Sequence, residues 1–248
     1  MNKKLIIIAG ARGDLGKFYY AHFQKKYGAN CIGLSSKINS PNTGLLKIDL
    51  FDKNACSTFV QNLRLSKYKE IILIHSIGRF LFEEKGVPII DENHDGIEDG
   101  IYLTNVTTFL NISQPLIEKI QTLPNTCLTL CAIGSISDRE MVPFWQSFSK
   151  SKNILREYIH ANISKNVHGV FINISSTEKE EERIFAHKKY WLSSKEVVNA
   201  SVRAIEDNNL YWQEIDILKP DPEYYPTYYK DYEGIYKKWI FELYGKNI

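Results

Sequence analysis

The feature of this sequence that most constrains its fold is an alternation of short apolar runs with longer amphipathic stretches. Typical runs are KLIIIAG at 4–10, EIILIHSIG at 70–78 and VHGVFINIS at 167–175. Continuous β-branched runs are typical of strands that lie in a parallel sheet covered on both faces. Because amphipathic stretches separate the runs, the pattern predicts an α/β fold with a doubly wound parallel sheet.

The same pattern predicts the other elements and the extent of the domain. Further strands are expected at 30–35, 44–50, 126–135 and 211–218, and helices at 15–27, 53–65, 97–120, 149–164 and 194–206. A chain of 248 residues suits one such domain. We therefore expect a single domain at 1–218, followed by a C-terminal extension at 219–248.

The C-terminal extension is unusually aromatic. Five of its aromatic residues recur at helical spacings, which predicts a helix packed on the domain or on a partner subunit. They are Tyr225, Tyr229, Tyr232, Tyr236 and Trp239. Tyrosine and tryptophan favour interfaces because the ring is buried while the polar end stays wet. We therefore expect a homodimer or homotetramer.

A glycine-rich turn, GARGDLG, joins the first strand to the first helix. Three glycines in this context are typical of a dinucleotide-binding turn. Gly10 permits the tight turn, Gly13 allows close backbone approach to a pyrophosphate, and Gly16 lets helix and strand pack closely. Leu15 lies at the start of the helix, whose N–H groups suit phosphates. The turn favours a Rossmann-type domain, and plain turn chemistry is the alternative.

The end of the second strand lacks the acidic residue that would bind a ribose 2′-hydroxyl and repel a 2′-phosphate. The sequence LSSK places Ser35, Ser36 and Lys37 there instead, where they can donate hydrogen bonds to a phosphate. Arg12 in the glycine turn can add a bidentate contact. We therefore expect NADP(H) in preference to NAD(H). The alternative is that Arg12 and Lys37 are solvated surface charges.

With these motifs in this order, the chain resembles the short-chain dehydrogenase/reductase family over about residues 4 to 218. GARGDLG has the glycine spacing of extended or atypical members. IDL matches the family's short acidic motif, which implies that Asp49, with Leu50 beside it, approaches the adenine. HSIG stands where the family has a motif that lines the cofactor, here His75, Ser76, Ile77 and Gly78. For the histidine, a buried structural role is the alternative.

The resemblance also implies catalytic roles. Asn105 matches a helix asparagine that anchors a proton-relay water, and Ser135 matches the catalytic serine after the fifth strand. Lys152 matches the lysine that holds the nicotinamide ribose hydroxyls. The family's tyrosine lies 13 residues after that serine and four before that lysine, and both counts lead to Phe148.

Phe148 leaves the proton donor open. Phenylalanine keeps the ring of tyrosine but has no proton to give, and general acid catalysis is typically worth about 10²- to 10⁴-fold. Tyr102 is one local candidate, because it lies three residues before Asn105 on the same predicted helix. Ser147 or Ser149, acting through water, is another.

These observations and the resemblance predict an NADP(H)-dependent oxidoreductase that acts on a small polar carbonyl or alcohol, with a sugar derivative as one candidate. The polar character is inferred from aromatic residues at 141–145 and from basic residues in the segment 178–191. These basic residues are Arg183, His187, Lys188 and Lys189. The alternative is a cofactor-binding pseudoenzyme that serves as a regulatory or structural subunit. A lyase or isomerase is a third reading.

Composition excludes several other classes. The net charge of +2 gives no field that would demand nucleic acid or an anionic membrane. The N-terminal apolar run is interrupted too early for a signal peptide, whose apolar region needs roughly 7 to 15 residues. The cysteines show no CxxC pair and no metal-type spacing, so a reducing cytoplasm is expected. They are Cys31, Cys56, Cys127 and Cys131.

One segment, DENHDGIED at 91–99, is close to the start of a calcium-binding loop. Its twelfth position is Tyr102, where such a loop needs a bidentate glutamate. We therefore expect a turn with Asp95 as the N-cap of the following helix, and no metal site.

Overall fold

A computed structural model describes residues 3–37, 44–85, 88–140, 144–178, 183–207, 209–219 and 231–248. Within this part of the chain, seven strands form one sheet. They are β1 (Lys4–Ala9), β2 (Cys31–Ser35), β3 (Leu45–Lys47), β4 (Glu70–His75), β5 (Cys127–Ile133), β6 (Val167–Ile174) and β7 (Trp212–Ile217). Each strand begins and ends within a few residues of the position that its apolar run predicts.

Helices connect the strands. They are α1 (Gly16–Tyr27), α2 (Lys53–Asn62), α3 (Asp99–Tyr102), α4 (Thr108–Gln121), α5 (Ser137–Glu140), α6 (Gln146–Ala161), α7 (Ser194–Glu206) and α8 (Tyr232–Tyr244). Helix α7 has the predicted bounds, because Ser193 and Glu196 form a capping box at its start. None of the helices in the described ranges is long and apolar enough to cross a membrane.

The sheet has the strand order β3-β2-β1-β4-β5-β6-β7, and every neighbouring pair is parallel. The order reverses between β1 and β4, so the connections leave in opposite directions there. In open α/β sheets, ligands bind at such a switch point, outside the carboxyl ends of the strands. The predicted doubly wound, Rossmann-type fold is confirmed.

The sheet is buried because each strand contributes side chains to a core on both of its faces. In β4, Ile71 and Leu73 belong to one core cluster, whereas Ile72 and Ile74 belong to the other. Side chains of α2, α4 and α6 complete the first cluster, and those of α1 and α7 complete the second. This arrangement explains why the strands read as continuous apolar runs rather than alternating ones.

The predicted helix 97–120 is interrupted. Leu103–Thr107, between α3 and α4, forms a π-helical turn. Such turns are rare and often occur at functional sites. Glu98, and not Asp95, caps α3, because its carboxylate accepts a hydrogen bond from the backbone N–H of Ile101 at 2.7 Å. The prediction of Asp95 as the N-cap was therefore wrong.

The C-terminal extension contains helix α8, which packs on the rest of the chain. Trp239 is fully buried and forms a third apolar cluster with Phe82, Ile235 and Ile240. Of the five aromatic residues that predicted this helix, Tyr225 and Tyr229 lie outside the described residues. A domain boundary at residue 218 remains a prediction.

Candidate active site

The glycine turn forms a tight cradle at the carboxyl end of β1. Gly10 has a positive φ of 80°, which side chains disfavour, and its carbonyl accepts a hydrogen bond from the N–H of Gly13 at 2.8 Å. A Cβ atom on Gly16 would lie 2.0 Å from the carbonyl oxygen of Gly10. Leu15 precedes α1, and no described side chain caps that helix. The cradle therefore presents backbone N–H groups of the helix start, as a phosphate site requires.

The residues that follow β4 lie against this cradle. The hydroxyl of Ser76 donates to the carbonyl of Ala9 at 2.7 Å, and Ile77 lies close enough that a Cβ on Gly10 would meet it at 2.7 Å. Gly78 lies next to Lys152, since a Cβ there would be 3.2 Å from Nζ. The structure thus places three residues of the HSIG motif between the glycine turn and the predicted catalytic lysine.

Arg12 extends from the turn to the end of β2. Its Nη1 donates to the carbonyl of Lys37 at 2.7 Å, and the hydroxyl of Ser35 accepts from the N–H of Lys37 at 3.2 Å. Ser36 lies exposed between them. The structure therefore brings together all four residues that were predicted to contact a 2′-phosphate.

The two residues of the predicted adenine contact differ in exposure. The carboxylate of Asp49 accepts from the N–H of Phe51 at 3.0 Å and so stabilises its own turn. Leu50 is buried, and its carbonyl accepts from the side chain of Asn111 at 2.9 Å. Both residues follow β3, but the contacts seen for them are structural.

Ser135 lies beyond the carboxyl end of β5 with only 8% of its surface exposed. Its oxygen accepts hydrogen bonds from the N–H and the hydroxyl of Ser137, at 3.3 and 3.0 Å. With two donors directed at this oxygen, the proton of Ser135 remains available to a substrate oxygen. The contribution of Ser137 was not predicted, because a serine two residues away has no distinctive signal in a sequence.

Asn105 lies in the π-helical turn, and its side chain is fully engaged with protein groups. Its amide oxygen accepts from the N–H of Arg79 at 2.7 Å, and its amide nitrogen donates to the carbonyl of Arg79 at 3.0 Å and to Ser151 at 2.9 Å. The side chain therefore joins the segment after β4 to α6. Both amide hydrogens are thus engaged with protein groups, so this side chain has no N–H left to donate to a relay water.

Lys152 is buried on α6, one turn after Phe148. Its Nζ lies 5.4 Å from the centre of the Phe148 ring, and among the described residues it has no hydrogen-bond partner. Burial lowers the pKa of this amine to about 8, although the negative charge of Asp138 acts in the opposite direction. The site thus holds a cation that is close to losing its proton at neutral pH.

Asp138 is a buried carboxylate that the sequence analysis missed. It forms an ion pair with Arg156, with an Nη2–Oδ2 distance of 2.6 Å, and burial raises its pKa. Arg156 lies one helical turn after Lys152, so both cations present to the same side of α6. Its Nε also contacts Glu214 on β7 at 3.0 Å. The pair connects the segment after Ser135 to the helix that carries the lysine.

His75 has a structural environment. Thr108 donates its proton to the carbonyl of Thr104 at 2.6 Å, so its oxygen accepts from Nε2 of His75 at 2.9 Å. Burial, together with the charge of Lys152, lowers the pKa of this histidine to about 3. The imidazole is therefore neutral at physiological pH and is no source of a proton. These contacts agree with a buried structural role for His75.

Phe148 belongs to an aromatic cluster formed by Phe80, Phe82, Phe144, Trp145, Phe148, Tyr236 and Trp239. Its ring centre lies 5.6 Å from that of Phe80, which in turn contacts Trp145 at 5.0 Å and Trp239 at 5.9 Å. Helix α8 thus reaches the side of Lys152 through aromatic rings. The environment of the residue at the tyrosine position is apolar.

The substitute proton donors lie in different environments. The hydroxyl of Ser147 donates to Glu83 and accepts from the N–H of Glu98 at 2.8 Å, so it holds two buried carboxylate residues in place. The hydroxyl of Ser149 is buried and has no partner among the described residues. Tyr102 is partly buried at the end of α3. Ser147 is therefore committed to structure.

Arg183 was predicted to meet an anionic substrate, but it lies inside the protein. It is 2% exposed, and its guanidinium lies 4.4 Å from the ring of Trp191 and 4.2 Å from that of Trp239. It also forms an ion pair with Glu242 of α8 at 3.1 Å. The prediction for Arg183 was wrong because aromatic faces and a buried carboxylate solvate the guanidinium inside the fold.

The segment 91–99 forms a turn that is closed by the side-chain carboxylate of its first residue. Asp91 accepts hydrogen bonds from the N–H groups of Asp95 and Gly96, at 3.1 and 2.9 Å. Over the described ranges, no group of three or more histidine, cysteine, aspartate or glutamate side chains is placed to hold a metal ion.

No family model matches the sequence, and no curated protein matches it either. Solved structures match the fold. A short-chain dehydrogenase from Burkholderia cenocepacia in complex with NADP has a TM-score of 0.67 at 13% identity, over 96% of this chain and 98% of that one. ElxO with NADP bound has a TM-score of 0.66 at 14% identity, over 87% and 98%. The chain therefore has the same fold as these structures.

A further similar structure is a tyrosine-to-phenylalanine variant of ElxO with NADPH bound. It has a TM-score of 0.66 at 13% identity, and the match covers 87% of this chain and 98% of the ElxO chain. At these identities the comparisons establish the fold, and the chemistry has to be argued from the site itself.

Proposed function

We propose that this protein is an NADP(H)-dependent oxidoreductase of the short-chain dehydrogenase/reductase type whose proton donor is not a tyrosine. One observation carries the proposal. The glycine cradle, Ser135 and the buried Nζ of Lys152 all lie at the carboxyl ends of neighbouring central strands, with Gly78 against the lysine. This is the position at which a doubly wound sheet binds a dinucleotide and its substrate.

The cradle fits a dinucleotide. A side chain on Gly10 would meet Ile77, and one on Gly16 would meet the carbonyl oxygen of Gly10, so both glycines keep the turn tight. Arg12 lies with Ser35 and Lys37 where a 2′-phosphate would be recognised. Similar structures, including the phenylalanine variant of ElxO, hold NADP or NADPH. When bound, the reduced nicotinamide would supply a hydride, and the protein has to supply the proton.

For the substrate, we propose a small polar carbonyl or alcohol, with a sugar derivative as one candidate. Arg183 no longer supports this proposal, since it is buried. The exposed basic residues that remain in the same segment are His187, Lys188 and Lys189. Ser135 supports a carbonyl or alcohol as the reacting group, because the hydroxyl proton of this serine is free to be donated to a substrate oxygen.

The second function that we propose is a cofactor-binding pseudoenzyme. The observation that favours it is the aromatic neighbour of Phe148: its ring contacts that of Phe80, which in turn contacts Trp145 and Trp239, and Lys152 is the charged group seen near the ring. Both functions require a bound cofactor. Turnover by the wild-type protein would distinguish them.

We also propose a homodimer or homotetramer in a reducing, cytoplasmic setting. Support comes from apolar side chains at the surface near α3, where Ile89, Ile90 and Leu103 are 68%, 50% and 49% exposed. The four cysteines are unpaired thiols, as a reducing setting requires. Light scattering of the purified protein tests the oligomeric state.

The first experiment is a fluorescence titration of the purified protein with NADPH and, separately, with NADH. We expect tight binding of NADPH and weaker binding of NADH, because the end of β2 offers donors to a phosphate and no carboxylate to a ribose hydroxyl. Binding of neither nucleotide would contradict both proposed functions.

Replacing Arg12 with alanine tests the nucleotide preference. The variant should bind NADPH about 10- to 100-fold more weakly, since a hydrogen bond to a charged group contributes roughly 1.5 to 3 kcal/mol. Its affinity for NADH should not change. Arg64→Ala is a matched control, because Arg64 is exposed before β4, at the opposite end of the sheet. Equal losses for both nucleotides would show that Arg12 does not recognise a 2′-phosphate.

A further inference from the structure

We propose that Lys152 donates the proton that the family's tyrosine would give. This inference rests on the proposed oxidoreductase function and assigns its missing acid. It gives Lys152 a chemical role in addition to the binding of ribose hydroxyls.

The position of Nζ supports this role. It lies 5.4 Å from the centre of the ring of Phe148, the residue at the family's tyrosine position. Phenylalanine has no hydroxyl, so residue 148 has no group that could accept the proton of Lys152 before it reaches a substrate. The absence of a side chain on Gly78 leaves room for the amine beside the backbone that follows β4.

The amine also has protons to give. Lys152 is 3% exposed, and in the described part of the chain none of its three possible hydrogen bonds is made. Because no protein group in that part of the chain holds these protons, they can be donated when an acceptor arrives. A lysine fixed by a carboxylate contact would resist that transfer.

The surroundings of the amine bring the pKa of Lys152 close to neutral pH. Asp138 faces it from α5 and Arg156 from its own helix, and these two are paired with each other. His75 faces it from β4 and is neutral. Burial therefore dominates, and the pKa of Lys152 falls to about 8. General acids work best when their pKa lies near the operating pH.

The step balances. The carbonyl carbon of the substrate accepts a hydride from the reduced nicotinamide dinucleotide, and its oxygen accepts a proton from Nζ, directly or through one water. The carbonyl is reduced to an alcohol, the nicotinamide is oxidised, and Lys152 is left as a neutral amine. Solvent then returns the proton. In the reverse reaction the neutral amine accepts the proton of the alcohol.

Other groups near the site are less suited to this role. His75 is neutral, and its Nε2–H is bound to Thr108. Ser147 is bound to Glu83 and Glu98. The carboxylate of Asp138 is held by Arg156. Ser135 and Ser149 have hydroxyl protons that no described group holds, but an uncharged alcohol is a much weaker acid than the ammonium of Lys152.

The test combines kinetics with a measurement that needs no turnover. NADPH oxidation is followed with two carbonyl probes, D-glyceraldehyde and benzaldehyde, across the pH range. For the wild type, kcat should be constant below about pH 8 and fall about tenfold per pH unit above it, because only the ammonium donates. NMR of protein with ¹³C-labelled lysines, assigned with Lys152→Arg, should give a pKa of about 8 for Lys152.

The variant Lys152→Arg separates binding from proton transfer. It keeps a cation that can hold ribose hydroxyls, but a guanidinium has a pKa above about 12 and does not give up its proton. We expect kcat to fall by about 10²- to 10⁴-fold while NADPH affinity changes less than tenfold. Lys150→Arg is the control, because Lys150 contacts the carbonyl of Gly96 at 3.2 Å, away from the reacting groups.

The outcomes distinguish this inference from the proposed function. Failure to bind NADPH refutes the proposed function. Turnover that survives in Lys152→Arg, or a pKa of Lys152 near the ordinary value of about 10.4, refutes Lys152 as the donor and leaves the oxidoreductase function intact. NADPH binding without oxidation of either probe supports the pseudoenzyme and refutes this inference as well.

Discussion

Replacing Phe148 with tyrosine is expected to raise kcat/KM for carbonyl reduction, but by less than the roughly 10²- to 10⁴-fold that a general acid contributes to a site without one, because Lys152 already donates a proton in the wild type. The new hydroxyl would extend from a ring that already lies 5.4 Å from Nζ of Lys152. A nearby cation lowers the pKa of a phenol by favouring the phenolate, which makes the hydroxyl a better acid. NADPH oxidation with D-glyceraldehyde and benzaldehyde measures the gain.

The control for this variant is Phe80→Tyr. Phe80 lies in the same aromatic cluster, with its ring 5.6 Å from that of Phe148, whereas the ring seen beside Nζ of Lys152 is that of Phe148. An equal gain from both substitutions would mean that added polarity, rather than a placed acid, is responsible. Absence of turnover in both the wild type and Phe148→Tyr, in protein that binds NADPH, would support the pseudoenzyme proposal.

Much of the fold could be predicted from the sequence because it follows from local pattern. Strands β1, β4 and β6 are continuous apolar runs, and α7 is bounded by a capping box. The glycine turn was equally readable, since Gly10 adopts a positive φ that other residues disfavour. Such features depend on neighbours in the chain and need no knowledge of distant contacts.

The helix that the sequence predicts over 97–120 is interrupted at 103–107, and this interruption was not predictable in the same way. Leu103–Thr107 forms a π-helical turn, and its Asn105 binds the backbone of Arg79, which is distant in sequence. The hydrophobic pattern of a helix does not report one extra residue in a turn. The tertiary contact that accompanies it becomes visible only when both segments are placed.

The candidate site also contains residues that could be predicted from the sequence and residues that could not. Ser135 and Lys152 were identified from their order along the chain, whereas Asp138 and Arg156 were not. Their ion pair joins α5 to α6, and neither residue belongs to a recognisable motif. This carboxylate opposes the effect of burial on the pKa of Lys152, so one contribution to the proton affinity of the site came from a residue that sequence patterns could not supply.

A second carboxylate illustrates how the segment before α6 is held. Glu83 is fully buried, its side chain binds the hydroxyl of Ser147, and its N–H donates to the carbonyl of Phe144 at 2.8 Å. Phe144 has a positive φ of 70°, which is uncommon for a bulky residue. The surrounding aromatic cluster holds this conformation, so the extension and the site form one packed unit.

The second large effect is expected for Trp239→Ala. This side chain is fully buried, stacks on Phe82 with ring centres 6.0 Å apart, and contacts Trp145 at 4.1 Å. It also lies 4.2 Å from the guanidinium of Arg183. Removing a buried tryptophan typically costs about 3 to 5 kcal/mol of unfolding free energy. For a chain of this size, that corresponds to a fall in Tm of roughly 6 to 20 °C.

Urea denaturation and thermal melting measure this loss, and two further variants define its origin. Phe241→Ala is the matched control, because Phe241 lies on the same helix with 41% of its surface exposed and should lose far less stability. Trp239→Phe keeps an aromatic face for Arg183 and removes an indole N–H that has no partner among the described residues. It should therefore cost less than Trp239→Ala. If Trp239→Ala costs no more than Phe241→Ala, then α8 does not pack against the aromatic cluster in solution.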